Sequence, residues 1–326
     1  MAEVARIVVV GSLNMDLVVQ VPRWPGPGET ALGERFLQVP GGKGANQAAA
    51  AAALGGEVAM VGRVGRDAFG AALLENLRRF GVDVSGVVAD AEAPTGLAVI
   101  GVEQGGENRI VVIPGANGRL GVEDLEASAA AGLWEEARVL LLQCEVPAET
   151  IVAAARLGRR HGLTVLLDPA PPIPLPEEVW RYVDACLPNR LEAGALTGRP
   201  VADLTSARLA GADLLARGLR WVVVKLGAQG VLVGEGSDFL HIEGLRVPAV
   251  DTTAAGDVFA GALAVGLTEG LAFTAAASFA NRAAALSTTR PGAQSSIPAR
   301  SQVDALLQPP AANSTSPDNA RNEVDR

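Results

Sequence analysis

The sequence predicts an α/β protein with a doubly wound, mostly parallel β-sheet, flanked by helices and accompanied by a small second β-sheet. Short apolar runs alternate with helical patterns along most of the 326 residues, which is typical of a parallel sheet covered on both faces. Hydrophobic residues make up 49% of the chain, enough to bury the core of such a sheet. Two segments with paired apolar runs, 16–39 and 95–113, interrupt the alternation and account for the second sheet.

The strands and helices of the main domain can be placed in order from the N-terminus. The first buried strand is the run RIVVV at 6–10, and further strands are predicted at 57–61, 138–143, 164–168, 185–187 and 221–226. The apolar run 246–250 has the character of one more buried strand end. Helices are predicted at 43–54, 69–80, 122–132, 148–160, 191–197, 207–216, 258–271 and 271–289.

The two interrupting segments have the pattern of β-hairpins, each with apolar runs on both sides of a turn. They could pair into a sheet that covers the main domain as a lid, and the alternative is that they are edge hairpins of the main sheet. We therefore expect a core of residues 1–12, 40–93 and 114–308 and a lid of residues 13–39 and 94–113. The tail, 309–326, has almost no apolar residues and is expected to be disordered.

Composition excludes several classes of function. The net charge is −9 without a basic cluster, which argues against nucleic-acid binding. No run of about 18 uncharged apolar residues is present and the N-terminus lacks the features of a signal peptide, so we expect a cytoplasmic protein without a membrane span. Cys144 and Cys186 show no disulfide or metal spacing. With only His161 and His241, a Ser-His-Asp triad or a histidine-based metal site has little support.

The lysines mark two loops. Of the 27 basic residues only Lys43 and Lys225 are lysines, and both lie in glycine-containing loops, GGKGAN and KLGAQG. Chance is one explanation. A lysine offers a compact charge on a flexible stem where arginine offers a planar fork, so the pattern also favours two loops that face a ligand.

The stretch VDTTAAGDVFAG (250–261) places one carboxylate at the start of a helix. Asp257 could simply be a helix N-cap, which is the common role of such an aspartate. Thr252 or Thr253 could fill that position instead, and the N–H groups of the Ala-Ala-Gly stretch would then form an anion site at the positive end of the helix. A carboxylate beside an anion site is explained if it removes a proton from a nucleophile that attacks a phosphate.

Polar residues also follow the buried strands. Asn14 and Asp16 lie just after the first strand, and Glu145 follows the run LLLQC, at the edge where open α/β sheets bind ligands. The loop GGKGAN adds an ammonium group and an amide. Carboxylates, amides and a lysine around one cavity suit a polyol, because each hydroxyl requires a donor and an acceptor. Neither the P-loop nor the GxGxxG dinucleotide motif is present, which argues against a P-loop enzyme and an NAD-linked oxidoreductase.

Three sequences, GSLNMD (11–16), GGKGANQA (41–48) and DTTAAGDVF (251–259), resemble the signature regions of the ribokinase family of carbohydrate kinases. Shorter motifs follow in the family's order: PGET (27–30), TG (95–96), GAN (115–117), PNxxE (188–192), KLGxxG (225–230) and RPGAQSS (290–296). The resemblance runs from about residue 7 to residue 307. It implies a ribokinase-like fold with a β-sheet lid, often dimerised through that lid, and ATP-dependent phosphorylation of ribose at O5.

The resemblance also implies a role for each matching residue. Asp257 matches the general base, and the anion hole matches Ala254, Ala255 and Gly256. The ribose contacts match Asn14, Asp16, Gly41, Gly42, Lys43, Asn46 and Glu145. The positions near nucleotide phosphate, adenine and Mg²⁺ match Asn189, Glu192, Lys225, Gly227, Ala228, Gly230, Gly256 and Asn281. A monovalent-cation site, for K⁺, matches Asp251, Thr253, Ser287, Arg290, Gly292 and Ser296.

Two positions depart from the family's pattern. Lys225 stands where threonine is common, and it could pair with a nucleotide phosphate or only with solvent. The sequence NRLE at 189–192 replaces a more acidic NETE, which affects the details of Mg²⁺ handling. The alternatives to ribose are deoxyribose, another sugar or a nucleoside, because specificity in such families depends on a few pocket contacts. A sugar sensor without catalysis is disfavoured by the intact Asp257.

Overall fold

In the computed structural model the described residues are 6–103, 105 and 108–306. Strands β1 to β13 form two sheets in this part of the chain. The larger sheet has nine strands: β1 (Arg6–Val10), β4 (Glu57–Gly65), β5 (Asp83–Asp90), β8 (Ala137–Gln143), β9 (Thr164–Asp168), β10 (Ala185–Cys186), β11 (Trp221–Lys225), β12 (Val231–Glu235) and β13 (Asp238–Ile242). The smaller sheet has four: β2 (Asn14–Val21), β3 (Arg35–Gly41), β6 (Gly96–Glu103) and β7 (Asn108–Ile113).

The larger sheet is doubly wound, as predicted. Its spatial order is β13-β12-β11-β10-β9-β8-β1-β4-β5, and all neighbours from β11 to β5 are parallel. The chain proceeds from β1 toward β5 on one side and from β8 toward β13 on the other. The strand order therefore reverses between β1 and β8, and the crevice at the carboxyl ends of these two strands is where such sheets bind ligands.

Helices cover both faces of this sheet. They are α1 (Lys43–Ala53), α2 (Ala68–Arg79), α3 (Val122–Ala130), α4 (Ala148–Arg160), α5 (Arg190–Thr197), α6 (Leu204–Leu215), α7 (Ala255–Thr268), α8 (Phe273–Ser287) and α9 (Arg300–Ala305). Because side chains alternate along a strand, Ile7 and Val9 of β1 belong to the apolar cluster beneath α1, α2, α7 and α8, whereas Val8 and Val10 belong to the cluster beneath α3, α4 and α6. The sheet thus separates two hydrophobic cores.

Small residues bring α1 and α7 into close contact. A Cβ atom on Gly261 of α7 would lie 2.8 Å from the carbonyl oxygen of Gln47 in α1, so a larger residue could not be accommodated there. Asp257 lies one helical turn before Gly261 and therefore on the same face of α7. Close packing of the two helices consequently places this carboxylate against α1.

The smaller sheet joins the two predicted hairpins. β2 pairs with β3 and β6 with β7 in antiparallel fashion, while β2 and β6 run parallel and align Asn14 with Gly96. The alternative of two edge hairpins on the main sheet is therefore wrong. The proposed domain boundaries and closure of this sheet as a lid stay predictions.

Some predicted elements differ from the structure. Residues 246–250 form no strand and are largely exposed. The apolar run alone suggested a buried strand, but the edge of the sheet is occupied by the antiparallel pair β12 and β13, which was not predicted, as β5 was not. Helix α7 begins at Ala255 rather than at 258. The tail predicted to be disordered lies outside the described residues. No helix in the described part of the chain has the length and apolar character of a membrane span.

Candidate active site

The N-terminus of α7 has no side-chain cap. Ala254 takes the N-cap position with a φ of 59°, a left-handed conformation that L-residues rarely adopt. Neither threonine fills the cap, since Thr253 directs its hydroxyl to the carboxylate of Asp251 at 2.6 Å. Ala255 and Gly256 are the first helical residues. The Ala255 N–H donates to the Thr252 carbonyl at 3.3 Å, whereas Gly256 belongs to the first turn, whose N–H groups lack intrahelical partners. This end of α7 can therefore accept an anion.

Asp257 is the third residue of α7 and is almost fully buried, with 4% of its surface exposed. Its two carboxylate oxygens accept hydrogen bonds from the amides of Asn46 and Gln47 on α1, at 3.0 and 3.2 Å. Burial raises the pKa of Asp257 to about 6, although the nearby Lys43 ammonium lowers it. The result is a carboxylate held by the neighbouring helix α1 rather than one that caps its own helix.

Glu145 connects the residues predicted to contact the sugar. Its carboxylate accepts hydrogen bonds from the Ser12 hydroxyl at 2.5 Å, from the Asn14 amide at 3.4 Å and from the backbone N–H of Lys43 at 3.1 Å. Gly42 has a φ of 89°, and a Cβ atom there would lie 2.6 Å from the backbone nitrogen of Asn14. Only glycine lets the two segments approach so closely.

Asp16 lies beside this cluster. A Cβ atom on Gly41 would overlap its carboxylate, so the glycine makes room for the acid. Burial and the carboxylates of Glu145 and Asp257 raise the pKa of Asp16 to about 7, although Lys43 lowers it. These interactions show that Asp16, Glu145, Lys43 and Asp257 share one electrostatic environment.

Asp257 also lines a cleft of about 630 Å³. It is lined by Lys43 together with residues predicted for the nucleotide and the anion hole, namely Asn189, Glu192, Lys225, Gly227, Ala228, Gly230, Ala254, Ala255, Gly256, Asp257 and Asn281. Lys43 is the one predicted sugar contact in this lining. Asp257 and Lys43 therefore lie between this cleft and the sugar cluster, which is the group of predicted sugar contacts Asn14, Asp16, Asn46 and Glu145.

The motif Asn189 to Glu192 forms a reciprocal cap at the start of α5. The Asn189 side chain accepts from the N–H of Glu192, whose carboxylate accepts from the backbone N–H of Asn189 at 2.7 Å and from its side-chain amide at 2.6 Å. Burial raises the pKa of Glu192, and Lys225 acts against that rise. Asn281, which also lines the cleft, donates to the backbone carbonyl of Glu243 at 2.8 Å.

Lys225 has a partner that was not anticipated. Its ammonium donates a hydrogen bond of 2.9 Å to the carboxylate of Asp168, and the two side chains are only 13% and 2% exposed. The expectation that this lysine pairs with nucleotide phosphate or with solvent omitted this ion pair. The reason is that β9 and β11, which are separated by β10, meet only in the tertiary structure.

The residues predicted for a monovalent cation lie in two segments that contact each other. The carboxylate of Asp251 accepts from the N–H of Thr253 at 2.9 Å and from the N–H of Gly292 at 2.7 Å. The hydroxyls of Ser287 and Ser296 donate to carbonyls within their own turns. Arg290 lies in the segment that follows the end of α8 at Ser287. No cluster of three or more His, Cys, Asp or Glu side chains suited to a metal occurs in the described ranges.

Three residues of the site were missed. Gln47 donates to both Asp257 and Asp168, at 3.2 and 3.1 Å, and Gln294 donates to Asn46 at 3.0 Å. The available signals were weak. Asp168 ends the buried strand TVLLD, Gln47 directly follows Asn46, and Gln294 lies within RPGAQSS. Each could have been singled out only by its proximity to another motif.

Comparisons with known proteins identify the family of this chain. The profile of the pfkB family carbohydrate kinases matches residues 4–300. The ribokinase of Haemophilus influenzae is 39% identical over 305 residues, covering 93% of this chain and 98% of that protein. A deoxyribokinase of Salmonella typhi is 36% identical over 304 residues, covering 92% and 98%. The Arabidopsis thaliana ribokinase, solved in complex with ribose and ATP, has a TM-score of 0.86 at 34% identity, covering 94% of this chain and 99% of that one.

These similarities extend over nearly the whole of each relative, so they concern the complete domain and not a shared motif. The residues that match the family profile, 4–300, include the strands of both sheets and the N-terminus of α7. The fold resembles that of ribokinases throughout. The chain belongs to the pfkB family of carbohydrate kinases.

Proposed function

We propose that this protein catalyses the ATP-dependent phosphorylation of D-ribose at O5, giving ribose 5-phosphate and ADP. The observation that carries the proposal is the position of Asp257, which is buried at an uncapped helix N-terminus between the sugar cluster and the cleft. An acceptor hydroxyl on one side and a phosphoryl group on the other would meet at this carboxylate. The relatives named ribokinase, and the one solved with ribose and ATP, support the choice of substrates.

In this proposal the sugar is bound by groups that alternate between donors and acceptors. Asn14, Asp16, Lys43, Asn46 and Glu145 provide amide, carboxylate and ammonium groups, which together can pair with several hydroxyls. Asn46 already donates to Asp257 and accepts from Gln294, so one amide hydrogen remains for a sugar. The glycines at 41 and 42 leave room for the ring beside the backbone.

The transfer step follows from the position of Asp257. The carboxylate accepts the proton of the O5 hydroxyl as the O5–Pγ bond forms, and the bond between Pγ and the bridging oxygen of ADP breaks with its electron pair going to ADP. The N–H group of Gly256 would face the phosphoryl oxygens, whereas that of Ala255 already donates to the Thr252 carbonyl at 3.3 Å. A pKa of about 6 leaves Asp257 mostly ionised near neutral pH, as a general base requires.

The cleft is the proposed ATP site, and its donor set fits a magnesium ion. Oxygen atoms are the ligands that Mg²⁺ prefers, and Asn189 and Glu192 both line the cleft. These two residues would hold the ion, directly or through water, and the ion would neutralise phosphate charge. A potassium site formed by segments 251–253 and 287–296 would order the loop before the anion hole. Its support is that Asp251 already joins these segments.

The smaller sheet is proposed to be both lid and dimer interface. Every described residue of β7 is exposed, including Ile110 and Val111 at 54% and 59%. Exposed apolar patches of this kind on a sheet mark protein interaction sites. A homodimer formed through this sheet would cover β7, and closure of the sheet over the sugar would exclude water.

An ADP-release assay with a panel of ribose, deoxyribose, other sugars and nucleosides tests the proposal. Ribose should give the highest kcat/KM. The Salmonella relative makes deoxyribose the second candidate. In Asp16→Ala the KM for ribose should rise by about fivefold to 150-fold, because a buried hydrogen-bond partner loses its acceptor. A nucleoside preferred over ribose would contradict the substrate assignment.

A further inference from the structure

The ammonium of Lys225 lies close to Gly256 of the predicted anion hole as well as to the carboxylate of Asp168. It is the last residue of β11, and a Cβ atom on Gly256 would lie 3.1 Å from its Nζ atom. Gly256 is the second residue of α7, so the ammonium lies beside the first turn of that helix. The charge is therefore close to the place proposed for the transferring phosphoryl group.

The Lys225 ammonium has more N–H donors than its bond to Asp168 uses. A lysine carries three N–H donors, and within the described part of the chain the Lys225 side chain donates to Asp168 only. Lys225 and Asp168 both line the cleft. Two donors can therefore contact a ligand without breaking the ion pair.

Asp168 also connects Lys225 to the proposed base. One of its oxygens binds Lys225, and the other accepts a hydrogen bond of 3.1 Å from Gln47, whose amide nitrogen donates to Asp257 as well, at 3.2 Å. The position of the ammonium is thereby fixed relative to Asp257 through one amide. Such a fixed charge needs no rearrangement when the phosphoryl group arrives.

We infer that Lys225 is a catalytic residue whose ammonium contacts the transferring phosphoryl group, and that Asp168 is its positioning residue. The inference rests on the proposed phosphoryl transfer. Lys225 neither gives nor takes a proton in the step. It donates hydrogen bonds to the oxygens of the γ-phosphoryl group while the bond to O5 forms and the bond to ADP breaks.

A structural ion pair is the competing explanation. It predicts that loss of Lys225 lowers stability and leaves phosphoryl transfer unchanged in whatever protein folds. A contact with the phosphoryl group predicts instead a loss of kcat, together with weaker binding of ATP and unchanged binding of ADP. The sugar KM should change little in either case.

The test compares Lys225→Met with Arg220→Met. Arg220 precedes the same strand at its opposite end and is exposed, so its variant removes an equal charge away from the site. In Lys225→Met we expect kcat to fall about 10²- to 10³-fold, the effect of losing one preorganised donor. ATP affinity, titrated calorimetrically without sugar, should fall about tenfold to 100-fold while ADP affinity is kept. Arg220→Met should match the wild type.

Two further variants cover misfolding and positioning. If Lys225→Met fails to fold because Asp168 is left unpaired, Asp168→Asn/Lys225→Met removes both charges and should show the same loss of kcat. Asp168→Asn alone keeps the ammonium without its anchor, so kcat should fall less and the sugar KM should stay. A folded variant lacking Lys225 with kcat within about threefold of wild type, far below the loss expected for one donor, overturns the inference. Equal weakening of ATP and ADP does so as well.

The experiment separates this inference from the choice of sugar. The ATP and ADP titrations require no acceptor, and kcat is measured with whichever acceptor the wild type prefers. Preference for another sugar would therefore refute ribose and leave Lys225 testable. A wild type that binds ATP but phosphorylates no acceptor would refute the proposed function itself.

Discussion

The side-chain amide of Asn46 donates a hydrogen bond of 3.0 Å to the carboxylate of Asp257, although the two residues are 211 positions apart in the chain. Asn46 in turn accepts from Gln294, and Gln294 accepts from Asn76 on α2. A chain of amides thus extends from the surface of α2 to the proposed base. Because each amide fixes the next, the orientation of Asp257 is set by groups outside its own helix.

The first prediction concerns Asp257 itself. Asp257→Asn should keep the fold and lower kcat by about 10²- to 10⁴-fold, because an amide cannot accept the hydroxyl proton. The sugar KM should change far less. Asp203→Asn is the matched control, since Asp203 is a true N-cap of α6 and Asn caps about as well as Asp. If Asp257→Asn retains more than about a tenth of wild-type kcat, the loss is smaller than the weakest effect expected of a general base. That result would refute the assignment of Asp257 as the base.

The pH dependence of turnover should report the same carboxylate. With a pKa of about 6, Asp257 loses its base function as pH falls below that value, so kcat should decline toward acid. The measurement is a kcat profile from pH 5 to 8 at saturating substrates. Asp16 also titrates nearby, with a pKa of about 7, so the profile is repeated in Asp16→Asn, where the limb near 6 should remain. A flat profile in both proteins would contradict the assignment.

The same shifts predict how stability depends on pH. The folded-state pKa values of Asp16 and Asp257, about 7 and about 6, exceed the ordinary value of 3.8, so the folded state binds more protons between these limits. The stabilising contribution of the protonated acids is present below pH 3.8 and is lost as pH rises through the folded pKa values. We therefore expect the melting temperatures of Asp16→Asn and Asp257→Asn, each measured without ligands and relative to wild type, to be higher at pH 8 than at pH 5.

A control of opposite sign is available for that measurement. Hydrogen bonds from Ser206 lower the pKa of Asp203, so this exposed acid favours the folded state in its ionised form. Asp203→Asn should not gain stability at pH 8. If all three variants parallel the wild type at both pH values, the raised pKa values are wrong.

Potassium should activate the enzyme. A cation between segments 251–253 and 287–296 would order the residues that present Ala255 and Gly256 to the phosphoryl group. Rates in potassium buffer should exceed those in sodium buffer after thorough dialysis, and Asp251→Asn should reduce the response because Asp251 joins the two segments. Equal rates in the two buffers would count against this site.

The lid hypothesis predicts slower amide exchange in the smaller sheet when ribose binds. Asn14, at the start of β2, belongs to the sugar cluster, so the sugar should order β2 and its partner β6. Hydrogen exchange of 14–21 and 96–103 should slow, while β12 and β13 serve as an internal reference. Unchanged exchange at saturating ribose would indicate a rigid sheet and no closure.

Local patterns determined most elements of this fold. The helix predicted at 148–160 is observed with those bounds, and the strand at 164–168 likewise, because hydrophobic periodicity is a property of neighbouring residues. The same periodicity fails at 246–250, where an apolar run lies on the surface. Whether such a run is buried depends on which strands occupy the sheet edge, and that is not a local property.

The sequence by itself determined which residue types stand at the carboxyl ends of the strands and at the start of α7, since motif spacing is fixed along the chain. Only the tertiary structure decided their partners. Asp168 and Lys225 are 57 positions apart, and Asn46 and Gln294 are 248 apart. Hydrogen bonds form over about 3 Å, so such pairs depend on how sheet and helices pack rather than on any local signal. The close packing of α1 on α7 was the deciding contact, because it turned a possible helix cap into a buried carboxylate held by two amides.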